Sequence, residues 1–310
     1  MQNSMRLHHV MSTSTNLLYK SGLILCTTVL AFAFTSNCAL AASGKRSITG
    51  KIYIADTEPG ATAIDEKNHT RQVLKKDVYR GEGTALETNE KSHTAAVFSN
   101  NSAIVLDTNT YLKIPKYRQE PIPPGQSSLD AEPSVSQTSL FIERGSVAMC
   151  SGKTAAGSST TIGTDLCTLS SQGPGAVVEV TATTTTVSLV AGDITVRTDA
   201  KSGGAALKPG EQAIVTKDPN GGPPSIKIQP IPQNAVARVN AKVAAACDAR
   251  KSVSFRMREG DRQLTPVTTG INVTDSNPGT GTDDDNPEII VDPVLPGSIP
   301  PKITISPYKK

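Results

Sequence analysis

Residues 83–114 read GTALETNEKSHTAAVFSNNSAIVLDTNTYLKI, and their apolar side chains recur at nearly every second position from Ala95 onward. A period of two is typical of a β-strand with one face toward the core and the other toward solvent. We therefore expect a ribbon of half-buried strands whose Thr and Asn side chains, such as that of Thr94, stay exposed. The apolar positions are Ala95, Val97, Ile104, Leu106, Leu112 and Ile114.

The middle of this ribbon contains a turn signal. Asn100 and Asn101 separate two of the alternating runs. Asn tolerates the left-handed backbone region that tight hairpin turns require. The pair therefore predicts a two-residue hairpin turn between neighbouring strands of a meander.

The composition of the whole chain agrees with a β protein. Its 310 residues include 21 Pro, 24 Gly and 37% hydrophobic residues, which favours strands and turns over helices. Aromatic residues make up only 4% and Trp is absent, so stacking platforms for sugars or unpaired bases are scarce. We expect an all-β fold that binds neither carbohydrate nor nucleic acid.

The N-terminal region resembles an export signal. Residues 22–42, GLILCTTVLAFAFTSNCALAA, carry no charge, follow Lys20 and end with the small-x-small triplet Ala39-Leu40-Ala41. This pattern is typical of a secretory signal peptide. We therefore expect residues 1–42 to be removed and the protein to be periplasmic or extracellular.

Three alternatives remain open at this end of the chain. The uncharged stretch 22–42 is long enough to cross a bilayer, so it could persist as an uncleaved anchor. Lipidation at Cys38 would anchor the protein in another way, although Asn37 stands where a small residue is expected. Translation could also begin at Met5 or Met11, which would give a signal peptide of more ordinary length.

The charge of the mature chain is close to neutral. Signal removal takes two of the 31 basic residues and none of the 28 acidic ones, leaving 29 against 28. Such a surface predicts no electrostatic partner such as nucleic acid or anionic membrane. The expected partner is an unidentified protein of the cell envelope, and membrane contact is expected only if residues 22–42 are retained.

Three cysteines follow the signal segment, at Cys150, Cys167 and Cys247. An exported chain meets an oxidising compartment, and Cys150 and Cys167 end two apolar runs joined by a flexible segment. We expect a Cys150–Cys167 disulfide, which would contribute roughly 3 kcal/mol in the chain-entropy model. Cys247 is then a buried residue on a helix face. No metal site is expected, because these cysteines lack the spacing of zinc ligands.

The rest of the chain divides by composition. Asn234 is a plausible N-cap for a helix over 234–250 that places Val239, Val243 and Cys247 on one side. The expected organisation is N-terminal strands at 43–72, a β domain at 73–216 with a Pro-rich loop insertion at 115–138, a linker and helix at 217–255, and a disordered tail at 256–310.

The order of short motifs over about residues 73–216 resembles the FecR domain, an exported bacterial β module. In that family a Gly-x-x-Leu-x-Thr pattern precedes a strand, a turn before a hydroxyl residue and an Asn-Thr pair, and later turns read Gly-x-Val-x-Val and Gly-Glu. The matching residues here are Gly83, Leu86, Thr88, Phe98, Ser102, Ile104, Leu106, Asn109, Thr110, Leu112, Gly145, Val147, Gly192, Ile194, Val196, Gly210 and Glu211.

The resemblance implies a jelly-roll-like β-sandwich in which these motif residues are structural. Glycines at its turns are expected to supply positive φ without a steric penalty. The founding member passes an iron-uptake signal across the envelope and has a cytoplasmic domain, a membrane helix and a second periplasmic domain. At most 21 residues precede the hydrophobic segment here, and a Pro-rich tail follows the helix. The implied fold therefore carries over more directly than the signalling role.

Sequence motifs that would indicate catalysis, phosphate binding or metal binding are weak in this chain. Only His69 and His93 follow the signal segment, and both lie in polar, turn-like surroundings. Residues 151–154, SGKT, resemble the end of a phosphate-binding loop, but Val147 occupies the position where that loop requires Gly. The acidic run Asp283–Asp285 lacks the spacing of a calcium loop. We expect no catalytic residue, no metal and no cofactor.

The leading hypothesis is an exported, non-enzymatic β-sandwich that acts as a binding or assembly module in a bacterial envelope. The alternative is a membrane-anchored, FecR-like signalling regulator, for which an uncut 22–42 helix is the distinguishing feature. A third hypothesis is a hydrolase that depends on His93. The first hypothesis also predicts that Val97→Asp prevents folding and that Thr94→Lys is tolerated.

Overall fold

Strands dominate the computed structural model, which describes residues 47–123, 130–199, 204–257 and 264–268. These residues form eighteen strands and one helix. The strands are β1 (Ile48–Thr49), β2 (Lys51–Thr57), β3 (Thr62–Ile64), β4 (Thr70–Gln72), β5 (Val78–Arg80), β6 (Ala85–Glu87), β7 (Thr94–Phe98), β8 (Ser102–Leu106), β9 (Tyr111–Gln119), β10 (Ser136–Ser151), β11 (Ser159–Gly163), β12 (Thr168–Val180), β13 (Thr184–Arg197), β14 (Ala205–Leu207), β15 (Glu211–Thr216), β16 (Ser225–Pro230), β17 (Val253–Met257) and β18 (Leu264–Thr268). The helix is α1 (Gln233–Ser252).

The expected all-β class with one helix near the C-terminus is confirmed, and the strands form a sandwich-like arrangement. Sixteen of the described strands belong to one sheet, whose main path runs β16-β15-β13-β12-β11-β10-β8-β7-β2-β5. The strands of 48–72 take part in it, since β2 pairs with β7 and β3 pairs with β6.

The long strand β10 changes its pairing partners along its length. Its first part, Ser136 to Arg144, pairs with β9, whereas Gly145 to Cys150 pairs with β12 and Val147 to Ser151 pairs with β8. The change of partner occurs at Gly145, where φ is +94°. A positive φ is readily adopted by glycine and disfavoured for other residues. Gly145 therefore allows the backbone to bend where β10 changes its partner.

The core is filled by aliphatic side chains, as the composition predicts. Alternate residues of the strands point inward, and Phe98 meets Tyr117 edge-on with ring centroids 5.2 Å apart. Among the largest fully buried side chains are Tyr117, Phe98, Ile52, Ile54, Leu86, Leu106, Leu112, Ile114, Ile142, Ile162 and Leu169.

One expectation for the opening ribbon is wrong, because β7 is buried on both faces. Ala96 and Phe98 point into the main core, whereas Val97 belongs to a second cluster on the opposite face. The cause is the C-terminal hairpin β17–β18, whose Phe255 and Leu264 share that second cluster with Val97. Thr94 is only 1% exposed.

The turn of the ribbon is one residue longer than predicted. Phe98 pairs with Ser102, so Ser99, Asn100 and Asn101 form the connection between β7 and β8. Asn101 adopts a φ of +61°. The expectation that Asn supplies the left-handed conformation is confirmed for this residue.

Helix α1 lies against the outer face of the sheet. Val239, Val243 and Ala246 pack with the sheet residues Ala148 and Val177. The helix begins at Gln233 with Pro232 in the N-cap position, so the predicted N-cap Asn234 lies inside the first turn. No helix among the described residues combines the length and the hydropathy needed to cross a membrane.

Two predicted irregular segments are shorter than expected. Strand β9 extends to Gln119 and β10 begins at Ser136, so both ends of the predicted Pro-rich loop 115–138 are strand. Tyr117 and Gln119 are buried on alternate positions, a pattern that the polar neighbours conceal. The predicted tail also begins inside the β17–β18 hairpin. Residues 1–46 and 269–310, with the predicted signal segment and Asp283–Asp285, lie outside the described residues.

Candidate functional site

Three of the FecR-like motif residues, Thr88, Thr110 and Gly145, meet in a hydrogen-bonded cluster at the start of β9. The Thr88 hydroxyl donates to the carbonyl of Asp107 at 2.5 Å and accepts from the amide of Thr110 at 3.0 Å. The Thr110 hydroxyl accepts from the amide of Ser146 at 3.0 Å. A Cβ on Gly145 would lie 2.3 Å from that hydroxyl. The structure thus brings Thr88, Thr110 and Gly145 together in a buried cluster.

The other motif residues also have structural positions. Asn109 holds a φ of +53° beside this hydrogen-bonded cluster, and Gly83 and Gly210 have φ of +80° and +88° at turns, as predicted. Gly192 also has a positive φ, +94°, but it lies inside β13 and not at the predicted turn. Glu211 accepts a hydrogen bond from the amide of Lys208 at 2.9 Å. Phe98 lies in the core. Ser102 lines a pocket, together with Phe98 and Ile104 of the same motif.

Lys242 connects helix α1 to the sheet through polar contacts. Its Nζ lies 2.9 Å from Asp107 Oδ2, 3.1 Å from Glu179 Oε1 and 2.9 Å from Ser146 Oγ. Burial tends to raise the pKa of Asp107, but the hydrogen bonds from Lys242 and from the Thr108 amide outweigh it. The pKa of Asp107 therefore lies below its ordinary value.

The predicted Cys150–Cys167 disulfide is wrong, because Cys150 is bonded to Cys247 on helix α1 with an S–S distance of 2.08 Å. Cys150 points outward toward the helix, whereas Cys167 points into the main core on the other side of the sheet. Two cysteines on opposite faces cannot bond. Cys167 is a buried free thiol, and burial raises its pKa.

A layer of hydroxyl side chains lines a pocket where β8 begins and β10 ends. Neighbouring strands place these side chains side by side, since Ser151 pairs with Ser102 and Thr160 pairs with both Thr138 and Ser171. We call Ser102, Thr138, Ser151, Thr160 and Ser171 the hydroxyl layer, and all five line the inner pocket.

The inner pocket has an apolar floor one layer deeper. Phe98, Ile104, Leu140, Met149 and Leu189 line it, and the cavity volume is about 50 Å³. Since one water needs about 10–15 Å³ of such volume, the cavity has room for about four non-hydrogen atoms.

An outer cleft of about 530 Å³ adjoins the inner pocket, and the two share Ser151, Gly152, Thr154 and Gly173. Asp130 and Asp193 line this cleft together with Lys153 and Arg250, so its formal charges balance. Gly173 and Gly192 approach closely at its wall, where a Cβ on Gly192 would lie 2.5 Å from Gly173 Cα. A side chain at either position would block this contact between β12 and β13.

A polar network holds Glu132 at the edge of the inner pocket. One carboxylate oxygen accepts from the amide of Ala155 at 2.9 Å and the other accepts a short hydrogen bond from the Ser136 hydroxyl. The Asn100 side chain donates to the same Ser136 oxygen at 3.0 Å. Thr138 Oγ1 differs, since it is buried and has no hydrogen-bond partner among the described residues. Buried polar atoms normally have a partner, so this hydroxyl needs an explanation.

The same network fixes the β7–β8 turn. The buried Tyr117 oxygen accepts from the amide of Asn100 at 2.8 Å and lies 3.0 Å from Ser99 Oγ. Ser99 in turn donates to Gln119 Oε1 at 2.7 Å. Burial raises the pKa of Tyr117 far above its ordinary value, so the phenol stays protonated. The wall of the pocket therefore rests on a neutral, hydrogen-bonded support.

The two histidines lie away from this pocket. His93 Nδ1 lies 3.0 Å from Glu58 Oε2, and His69 Nδ1 lies 3.0 Å from Asp65 Oδ2. His69 is exposed and His93 is half-buried, and each contacts a carboxylate. Of the SGKT stretch, Ser151, Gly152 and Thr154 line the inner pocket, which sequence reasoning missed.

A sequence signal for the hydroxyl layer does exist. Each member continues an inward-facing alternation by one step, as in Leu106-Ile104-Ser102 and Ile142-Leu140-Thr138. A change from apolar to hydroxyl at the same end of several strands indicates a shared polar surface.

No family model and no curated protein matches the chain. Two solved structures from Parabacteroides distasonis, both described provisionally as anti-sigma factors, are similar to it. The one at 2.50 Å resolution is 17% identical over 49% of this chain and 62% of its own, less than two thirds of its length, with a TM-score of 0.36. The one at 1.65 Å is 13% identical over 60% of this chain and 99% of its own, with a TM-score of 0.35. Similarity at this level carries no argument about function.

Proposed function

We propose that this protein is an exported, non-enzymatic binding module of a bacterial envelope, built on a FecR-like β scaffold. The inner pocket carries the binding role. Its floor is apolar, its edge is polar, and Thr138 Oγ1 at that edge lacks a partner among the described residues. Pockets of this composition are the usual sites for small ligands.

The motif residues have different structural roles, and this difference supports the binding function. The hydroxyls of Thr88 and Thr110 accept from the amides of Thr110 and Ser146 in the hydrogen-bonded cluster, whereas Ser102 faces the pocket. A rigid scaffold with a separate polar pocket is the arrangement expected of a binding protein.

Two observations support export. Residues 22–42 have the pattern of a secretory signal, and Cys150 and Cys247 form a disulfide. Disulfides persist in oxidising compartments and are rare in the bacterial cytosol. The second candidate, a membrane-anchored signalling regulator, rests on the length of the same uncharged stretch.

The test is fractionation of a Gram-negative host that makes the full chain from its own start, followed by intact mass measurement. The proposal predicts a periplasmic or secreted chain that begins near Ala42 or Ser43, with a mass lower than that of the reduced form by two hydrogen atoms. A full-length chain in the inner membrane would support the anchored regulator instead. Deletion of residues 22–42 is the control and should leave a reduced chain in the cytoplasm.

Recovery of the unaltered full chain in the cytoplasm with all its thiols reduced would contradict export. The non-enzymatic assignment has its own test, a panel of hydrolase substrates. Turnover by the wild type that is lost in His93→Ala would contradict that assignment.

A further inference from the structure

The inner pocket carries one negative charge. Among its described lining residues Glu132 is the only one with an ionisable side chain, because Cys150 is disulfide-bonded. Both carboxylate oxygens already accept one hydrogen bond, from Ala155 N and from Ser136 Oγ, and these bonds fix their direction. A carboxylate can accept about four hydrogen bonds. It therefore retains capacity for a donor that enters the pocket.

The hydroxyl layer provides further acceptors at the same level. Thr138 is 6% exposed, and its Oγ1 has no partner among the described residues. Ser102 and Ser151 donate their own protons to Asn100 Oδ1 and to the Gly173 carbonyl, which leaves their oxygen lone pairs for a ligand. A group with several N–H donors matches these free lone pairs.

The apolar floor of the inner pocket determines which chemical group can be attached to these N–H donors. Ile104, Leu140 and Leu189 are buried and apolar, so they favour methylene or methyl groups. The volume of about 50 Å³ admits only a short chain. A ligand would enter with its alkyl end first and leave its polar end level with the hydroxyl layer.

From these observations we propose that the inner pocket binds an ammonium group carried on a short aliphatic chain. Glu132 balances the charge, the hydroxyl layer accepts the N–H groups, and the floor holds the alkyl part. The ammonium can belong to a free alkylamine or to the N-terminus of a peptide that begins with an aliphatic residue. This inference rests on the proposed binding function and names the ligand class for it.

The experiment titrates n-propylamine into the purified, disulfide-bonded chain and follows the methyl resonances of Ile104 and Leu140 by NMR. The neutral isostere 1-propanol is the matched ligand, and the peptide Val-Gly-Gly tests the second source. The expected Kd for n-propylamine is on the order of 1 mM, given the size of the ligand. The expected Kd for 1-propanol is at least about tenfold higher, because it lacks the charge.

Two variants test the residues. Glu132→Gln should weaken n-propylamine binding at least about tenfold and leave 1-propanol unchanged. Thr138→Val keeps the shape of the side chain, removes the unpartnered hydroxyl and should weaken the amine severalfold. Glu211→Gln, at the start of β15 and outside the pocket lining, is the control and should bind as the wild type does.

Tighter binding of Val-Gly-Gly than of n-propylamine would identify a peptide N-terminus as the source, and the reverse order would identify a free amine. Equal affinity for amine and alcohol, or undiminished amine binding by Glu132→Gln, would overturn the ammonium assignment and leave a binding role in place. No saturable shift with any probe would overturn the site itself. The wild-type comparison of the two ligands decides the matter even if a variant fails to fold.

Discussion

Gly145 and Thr110 are packed so closely that a Cβ on Gly145 would lie 2.4 Å from the Thr110 Cα. The Thr110 hydroxyl also accepts the amide of Ser146, the next residue along β10. The bend of β10 and the entry into β9 therefore depend on each other.

Gly145→Ala should lower the free energy of unfolding by more than about 3 kcal/mol, because strain at a φ of +94° adds to the clash with Thr110. Gly210→Ala is the matched control, with a φ of +88° and nothing within 4 Å of the added Cβ. It should cost only about 1–2 kcal/mol. Urea denaturation measures both. Equal losses would show that the close packing at Gly145 has no energetic role.

Thr94→Lys should destabilise the protein by more than about 2 kcal/mol, because an ammonium would replace a hydroxyl that lies 2.9 Å from Thr57 Oγ1 in a buried site. Leu74→Lys is the control, at a side chain that is 58% exposed. Val97→Asp should prevent folding, since Val97 is fully buried. Thermal melting distinguishes these cases, and a Thr94→Lys protein as stable as Leu74→Lys would contradict the burial of β7.

Thr94 was expected to be exposed but is buried, and this difference shows how far a local sequence pattern can predict the structure. Period-two alternation predicted the strands and the class of fold correctly, because side-chain direction in a strand is a local property. It did not predict that β7 is covered on its second face, because the covering residues Phe255 and Leu264 lie more than a hundred residues away. Polar composition also concealed the strand that contains Tyr117 and Gln119.

Asp107→Asn should make stability less dependent on pH in acid. The pKa of Asp107 is lower in the folded protein than in the unfolded chain, where it is about 4. The stabilisation is then fully present above pH 4 and is lost as the pH falls through the folded value. Urea midpoints from pH 7 to pH 2.5 should decline more steeply for the wild type than for Asp107→Asn.

Lys242→Met provides the control for this pH dependence, because Lys242 hydrogen-bonds the Asp107 carboxylate. In that background the change to Asn should alter the acid-side decline less than it does in the wild type. Parallel declines for the wild type and Asp107→Asn would mean that this contact does not stabilise the docked helix.

Cys247→Ser should lower the free energy of unfolding by about 2–5 kcal/mol, because the disulfide joins residues 97 apart in sequence and fastens helix α1 to β10. Cys167→Ala leaves the disulfide intact and should be less damaging. Guanidinium denaturation without reductant gives both values. A larger loss for Cys167→Ala would contradict this role of Cys247.

The candidate site was only partly predictable. Ser102 stood out by its place in the FecR-like motif, but Thr138, Thr160 and Ser171 come from three other strands whose register no local pattern reveals. The predicted disulfide was wrong for a related reason. The spacing of Cys150 and Cys167 suggested a bond, whereas the faces to which they point are decided by the register of the assembled sheet.

The most direct measurement is a disulfide map of the non-reduced protein by proteolysis and mass spectrometry with free thiols alkylated. A helix that a disulfide joins to the β-sheet predicts one linked pair of peptides, containing Cys150 and Cys247, and an alkylated Cys167. A Cys150–Cys167 link, or three alkylated thiols in the mature chain, would contradict that arrangement.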